Sequence, residues 1–232
     1  MTNKIKFIAD EQLIGAIPHP MPARHFVPDW FKNMGPRADT NKHSLINNMT
    51  MKMCPGVHDI FQLGYIIPAW CDFYIDIRNQ KLAFEASNNE NFLTVFPPQT
   101  AKNFPFPKNH ETTFFKFKTP WRIESQKSFT ALVSQPKYQF DKPYQMYEGV
   151  MDVGPYVADI NFIISIQRNT CVEFKRGEPL IHIIPFTSES FKADVGPMDD
   201  SILLKLNRQM AAIKSHALGG YFKTLHKKKH YD

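Results

Sequence analysis

The chain's nine histidines and three cysteines are its most reactive side chains. Cys54, Cys71 and Cys171 lie far apart and form no Cys-x-x-Cys pair, so the spacing supports neither a zinc knuckle nor a thioredoxin-like dithiol. They are also too few and too scattered for a disulfide framework, and are read as reduced. His58 and Asp59 follow a turn at Cys54-Pro55-Gly56. An imidazole and a carboxylate together can hold a cation or exchange a proton. Adjacent residues of an extended strand point to opposite faces, so these two share a centre only on a turn. A metal site in a jelly-roll core would complete itself with Glu178 and His182. Neither His58 nor His182 sits in the His-x-His or His-x-Asp spacing that sets neighbouring ligands on one strand face. Turn and surface hydrogen bonding is therefore the main reading of His58 and Asp59. The metal and any cofactor stay undefined, and no residue is assigned a catalytic role.

His19, Arg24 and His25 form a second polar group in a proline-rich stretch. They are the anion-binding expectation, because a guanidinium grips a carboxylate with two parallel hydrogen bonds; loop organisation is the plainer reading. Trp30, Trp70 and Trp121 can stack on a ligand, but core or interface packing is the stronger expectation. Glu148, Asp152 and Asp159 match neither a calcium loop nor a glycosidase pair and are read as turn and edge residues. Lys227, Lys228 and Lys229, with His226 and His230 beside them, are the densest local charge. Such a cluster approaches acidic protein surface or, without sequence preference, nucleic acid; no base-reading module accompanies it. An unspecialised terminal tail is the main reading.

Charge distribution supports that emphasis on the tail. Lys and Arg number 28 against 22 Asp and Glu, a net charge of +6. Residues 1–200 carry 21 of each sign, and the last 32 residues carry seven basic and one acidic side chain. The body is neutral, so an anionic partner would be met by the C-terminal end. A hydrophobic content of 43% with 22% charged residues excludes a wholly disordered chain. Charge interrupts MTNKIKFIADEQL before a signal peptide could form, and no apolar run is long enough to span a bilayer. No membrane partner is expected.

The elements that must position these residues are mainly strands. Prolines end many apolar runs, as in YIIPAW, TVFPPQ and FKTPW, a punctuation that suits strands and turns. KIKFIA, GYIIPAWCDFYIDI (64–77), QKLAFEA (80–86), TFFKFK (113–118) and INFIISI (160–166) are rich in β-branched and aromatic residues and predict strands. Asp72, Tyr74 and Asp76 alternate with Cys71, Phe73, Ile75 and Ile77, with Trp70 on the polar side of that pattern; Phe115 and Phe117 alternate with Lys116 and Lys118. RGEPLIHIIPF predicts a turn and a late strand stopped by Pro185. A short N-terminal helix is expected at DWFKNM after Pro28. A C-terminal amphipathic helix is expected over 199–220, capped by Asp199, Asp200 or Ser201. Ile202, Leu206, Met210, Ile213 and Ala217 form its apolar stripe, read as docking on the β body or on a neighbouring subunit. The resulting fold class is mainly β: a single-domain antiparallel β-sandwich or distorted jelly roll spanning 1–198, followed by a helix and basic tail over 199–232.

PARHFVPDWFKNM, KMCPGVHDIFQLGYIIPAWCDFYI, EGVMDVGPYVADINFIISI and RGEPLIHIIPF together resemble a largely bacteriophage-encoded family of proteins without assigned activity. The resemblance is spread over roughly residues 20–190. It transfers no catalytic residue. It implies a compact β-rich protein, a virion component in the host cytoplasm or the particle, with other virion subunits as partners. The function expected is a non-enzymatic structural or protein-interaction role, set against a jelly-roll-like metal-dependent enzyme or small-molecule-binding domain. The interaction residues named on this reading are Lys227, Lys228, Lys229, Ile202, Leu206, Met210 and Ile213.

Overall fold

Alternating apolar and polar residues become antiparallel strands along most of the chain. The computed structural model describes residues 4–38, 50–186 and 189–215. In chain order the strands are β1 (Ile5–Ile8), β2 (Met21–Pro22), β3 (Tyr65–Pro68), β4 (Phe73–Asp76), β5 (Ala83–Ala86), β6 (Leu93–Val95), β7 (Phe115–Ser125), β8 (Phe129–Ser134), β9 (Tyr144–Tyr147), β10 (Gly149–Val153), β11 (Ala158–Ile166), β12 (Cys171–Phe174) and β13 (Pro179–Phe186). The helices are α1 (Asp29–Asn33), α2 (Pro55–Ile60) and α3 (Asp200–Ser215). The protein is mainly β, as the sequence predicts, and its sheets do not close into a barrel.

Among the described residues the strands form three sheets. The first has the order β1-β7-β11-β9, with β6 also on β7; the second is β10-β8-β13-β3-β2, and the third is β12-β4-β5. β7 is the axis of the first sheet. One edge pairs with β11, and the other takes β6 over Phe115–Phe117 and β1 over Arg122–Ser125. Pro120 lies in the gap between those two partners, beside a register shift in β11 between Asp159 and Asn161. The missing N–H therefore falls where the ladder is already interrupted. The strand continues through FKTPW, which the punctuation reading would have ended.

Pro185 is the second such correction. β13 runs to Phe186, with Pro185 opposite Ala131 of β8. Pairing with β3 ends at Ile183, so Pro185 sits on an edge stretch that tolerates a lost donor. GYIIPAWCDFYIDI, conversely, is not one strand. It breaks at Pro68, and β3 and β4 belong to different sheets. Alternation then holds from Asp72 onward: Phe73, Ile75 and Ile77 are buried, whereas Trp70 and Cys71 both are, despite opposite parity. The sequence PGVHDI also folds as α2 rather than a turn. Pro55 takes the first helical position and the Cys54 carbonyl accepts from the His58 N–H at 3.1 Å.

The chain separates into two compact units, Met1–Asn33 with Ile60–Ser188 and Met34–Asp59 with Glu189–Asp232. The first contains all three sheets and one apolar cluster that includes Ile67, Phe73, Ile75, Phe117, Trp121, Ile164 and Ile181. In the second, Asp199 caps α3: its carboxylate accepts from the Ile202 N–H at 2.9 Å and from the Ser201 hydroxyl at 2.6 Å.

Candidate functional site

Two histidines, His110 and His182, are buried in the first unit. β11 carries Ser165, whose hydroxyl accepts from the Tyr147 OH on β9 at 2.8 Å and lies 2.7 Å from Nδ1 of His110. With its own proton directed to Nδ1, Ser165 links a phenol to an imidazole. Burial lowers the His110 pKa, so the neutral ring that can accept this bond is favoured. A serine against a histidine is the signature of an activated nucleophile. Ser165 is 0% exposed, however, so no substrate reaches it. Phe104 and Phe114 pack edge-on against Tyr147 at 4.9 and 5.5 Å, and Arg168 Nε donates to the His110 carbonyl at 3.1 Å. The cluster fastens the segment before β7 to β9 and β11.

His182 on β13 is arranged differently. Its Nε2 lies 2.6 Å from the Leu63 carbonyl, which can only accept, so Nε2 carries the proton and Nδ1 presents a lone pair. Burial pushes the pKa of His182 down, and the charge of Lys137 acts in the same direction. Nδ1 of His182, Oγ of Ser134 and Oε1 of Gln139 are all buried without a hydrogen-bond partner among the described residues. Ser134 is the register partner of His182 across β8 and β13. His182 and Gln139 line a cavity of about 20 Å³ walled by Ala23, Phe26, Phe61 and Pro136. That volume suits about one water molecule, against the roughly 300–1,000 Å³ of metabolite pockets. Phe61 continues from the cavity into an aromatic cluster, 5.4 Å from Tyr138 and 6.0 Å from the partly exposed Trp30.

The larger spaces are surface clefts. One of about 450 Å³ lies between β5 and β6 and is lined by Leu82, Phe84, Glu85, Glu90, Leu93 and Val95. A second of about 420 Å³ shares Leu82 and Val95 and extends to Phe96 and Pro97. Neither brings together a buried charge pair or an accessible nucleophile with a base.

Within the first unit, the residues singled out from sequence lie on different elements. Among the described residues no group of three or more His, Cys, Asp or Glu side chains is placed to hold a metal ion. Of the expected centre, His182 and Glu178 lie in the first unit, where His182 Nε2 is committed to the Leu63 carbonyl and Glu178 lies 3.5 Å from Lys142, while His58 and Asp59 belong to the second unit. His19 is exposed, accepts from the Gly15 N–H at 3.2 Å and meets Trp121 edge-on at 5.5 Å. Arg24 and His25 are exposed on a 3-10 turn, Ala23–Phe26. Trp70 and Trp121 are core residues. Glu148 binds Lys137 at 2.5 Å, and Asp159 pairs with Lys118 and Arg122 at 3.6 and 3.1 Å. Asp152 accepts from Thr130 at 3.3 Å.

Ile202, Leu206 and Met210 stand 41–48% exposed on α3, and Leu203 and Leu204 are 44% and 52% exposed. Before them, Phe191 is 89% and Val195 96% exposed. The side chain of Ile213 lies outside the described ones, and Lys227, Lys228 and Lys229 lie outside the described residues. Sequence reading missed His110, Ser165, Tyr147, Ser134 and Gln139. His110 and Ser165 are 55 positions apart, and no local spacing marks such a pair.

No helix among the described residues is long and apolar enough to cross a membrane. No protein-family model matches the chain, and no curated protein is detectably similar to it.

Proposed function

We propose that this protein is a non-enzymatic structural or protein-interaction protein, a component of a phage particle that joins other subunits through its C-terminal segment. The observation that carries this reading is the run of large apolar side chains left in solvent between Phe191 and Met210. Contiguous exposed apolar surface of this kind costs solubility unless a partner covers it. The two five-stranded sheets are read as layers of an antiparallel sandwich or distorted jelly roll. The enzyme alternative has less support. The cavity beside the orphaned buried polar atoms of His182 and Gln139 is water-sized, and the Ser165–His110 pair is sealed.

Mass spectrometry of purified particles from the source phage tests the virion assignment; reproducible absence of the protein removes it. Removing residues 221–232 tests the tail. If Lys227, Lys228 and Lys229 contact an acidic protein surface or nucleic acid, the truncated chain binds more weakly and its binding loses salt dependence. Unchanged affinity and an unchanged salt slope would assign the tail no role in binding.

A further inference from the structure

α3 carries a seam more specific than general stickiness. Leu203, Leu206, Met210 and Ile213 follow a three-four-three spacing, the a and d positions of a heptad, and Ala217 continues it in the sequence. Leu203, Leu206 and Met210 are 41–44% exposed. The flanking e positions are then Asp200, Asn207 and Lys214, and the g positions are Ile202 and Gln209.

Charge on these flanks selects both partner and direction. In an antiparallel pair of identical helices, layering Leu203 on Ile213 and Leu206 on Met210 of the second copy sets e positions against each other. Asp200 then faces Lys214 twice, Asn207 meets its own copy at the two-fold axis, and Gln209 does the same on the other flank. The positive N-terminal and negative C-terminal ends of the helix dipoles are also opposed. Parallel pairing matches no opposite charges across its e and g positions and aligns the dipoles. Lys205 and Arg208 fall at c and f, clear of the seam in either case.

We propose that the partner of α3 is α3 of a second copy of this chain, packed antiparallel about a two-fold axis near Asn207. The proposal rests on the interaction reading above and names its partner. A 16-residue helix provides little more than two heptads, so the association is reversible and concentration-dependent.

Sedimentation velocity of the full chain, from about 1 to 500 µM, should show a monomer–dimer equilibrium. Leu206→Glu, on the seam, should weaken it by about a hundredfold, since two buried charges enter one dimer. Leu204→Glu, also exposed but at position b, should leave it unchanged. Asp200→Lys or Lys214→Asp alone should each weaken the dimer by about tenfold, and the two single variants mixed should associate more tightly with each other than either does with itself. Circular dichroism melts of the same variants check that the β body is intact. A chain monomeric throughout, equal damage from Leu204→Glu and Leu206→Glu, or a mixture of the two single charge variants that associates no better than each alone overturns the proposal. A monomeric chain whose 189–232 deletion still abolishes binding to another virion protein would overturn self-pairing while leaving the interaction role standing.

Discussion

At Gly64, just before β3, the backbone has φ +67°, and a Cβ there would stand 2.0 Å from the carbonyl oxygen of Ile183. Glycine is required on both counts, by the left-handed conformation and by the approach of β13. Gly64→Ala is expected to cost about 2–5 kcal/mol, from backbone strain plus forced displacement of the strand, read from urea denaturation midpoints. The neighbouring Leu63 carbonyl is the acceptor for His182, so the same variant should also perturb the His182 ring resonances in an NMR spectrum. Ser165→Ala makes a different prediction. It leaves the Tyr147 hydroxyl and His110 Nδ1 facing a methyl group, at an expected cost of about 1–3 kcal/mol. A variant within a few tenths of wild type would mean that both groups find other partners. Neither requirement is legible along the chain: Gly64 reads as one more turn glycine until Ile183, over a hundred positions away, is placed beside it.

Among the elements, β7 was the most legible in its side chains and the least in its extent. The alternation of Phe115 and Phe117 with Lys116 and Lys118 correctly assigned the buried face, because a strand with one face on the core must repeat every second residue. Its continuation past Pro120 depended on where β6 ends and β1 begins, which is a matter of neighbours. Phe117 also stacks on its register partner Phe162, with ring centroids 4.8 Å apart and planes 9° from parallel. Phe117→Ala should destabilise by about 3–5 kcal/mol, and Phe117→Ala with Phe162→Ala should cost less than the sum because the rings share one contact. Additive costs would deny the coupling. α3 was legible from its stripe and its capping aspartate. Asp199→Ala should reduce the helical signal near 222 nm while leaving the cooperative melt of the β body in place.

For the whole molecule, burial of titratable groups sets a pH window. His110 and His182 are both held below the ordinary histidine value of 6.5 by desolvation. Between the unfolded and folded values the unfolded chain binds more protons, so stability is full above pH 6.5 and falls as pH drops below it. The Cys71 thiol is pushed the other way, from 9.0 up to about 11, mainly by burial. Unfolding then releases a proton, so stability should fall again as pH rises above 9.0 toward that value. Melting temperatures across this range are expected to form a plateau with two falling limbs, and a profile flat through pH 6.5 to 5 would contradict the buried neutral histidines. Composition, periodicity and charge by themselves determined the β class, the buried faces of β4 and β7, the capped C-terminal helix and the neutral-body, basic-tail asymmetry, because each is written in neighbouring residues. The partition into three sheets, the passage of strands through Pro120 and Pro185, the pairing of His110 with Ser165 and the bond of His182 to the Leu63 carbonyl were decided only by tertiary structure. Those features depend on contacts between residues tens to more than a hundred positions apart, which local spacing does not encode.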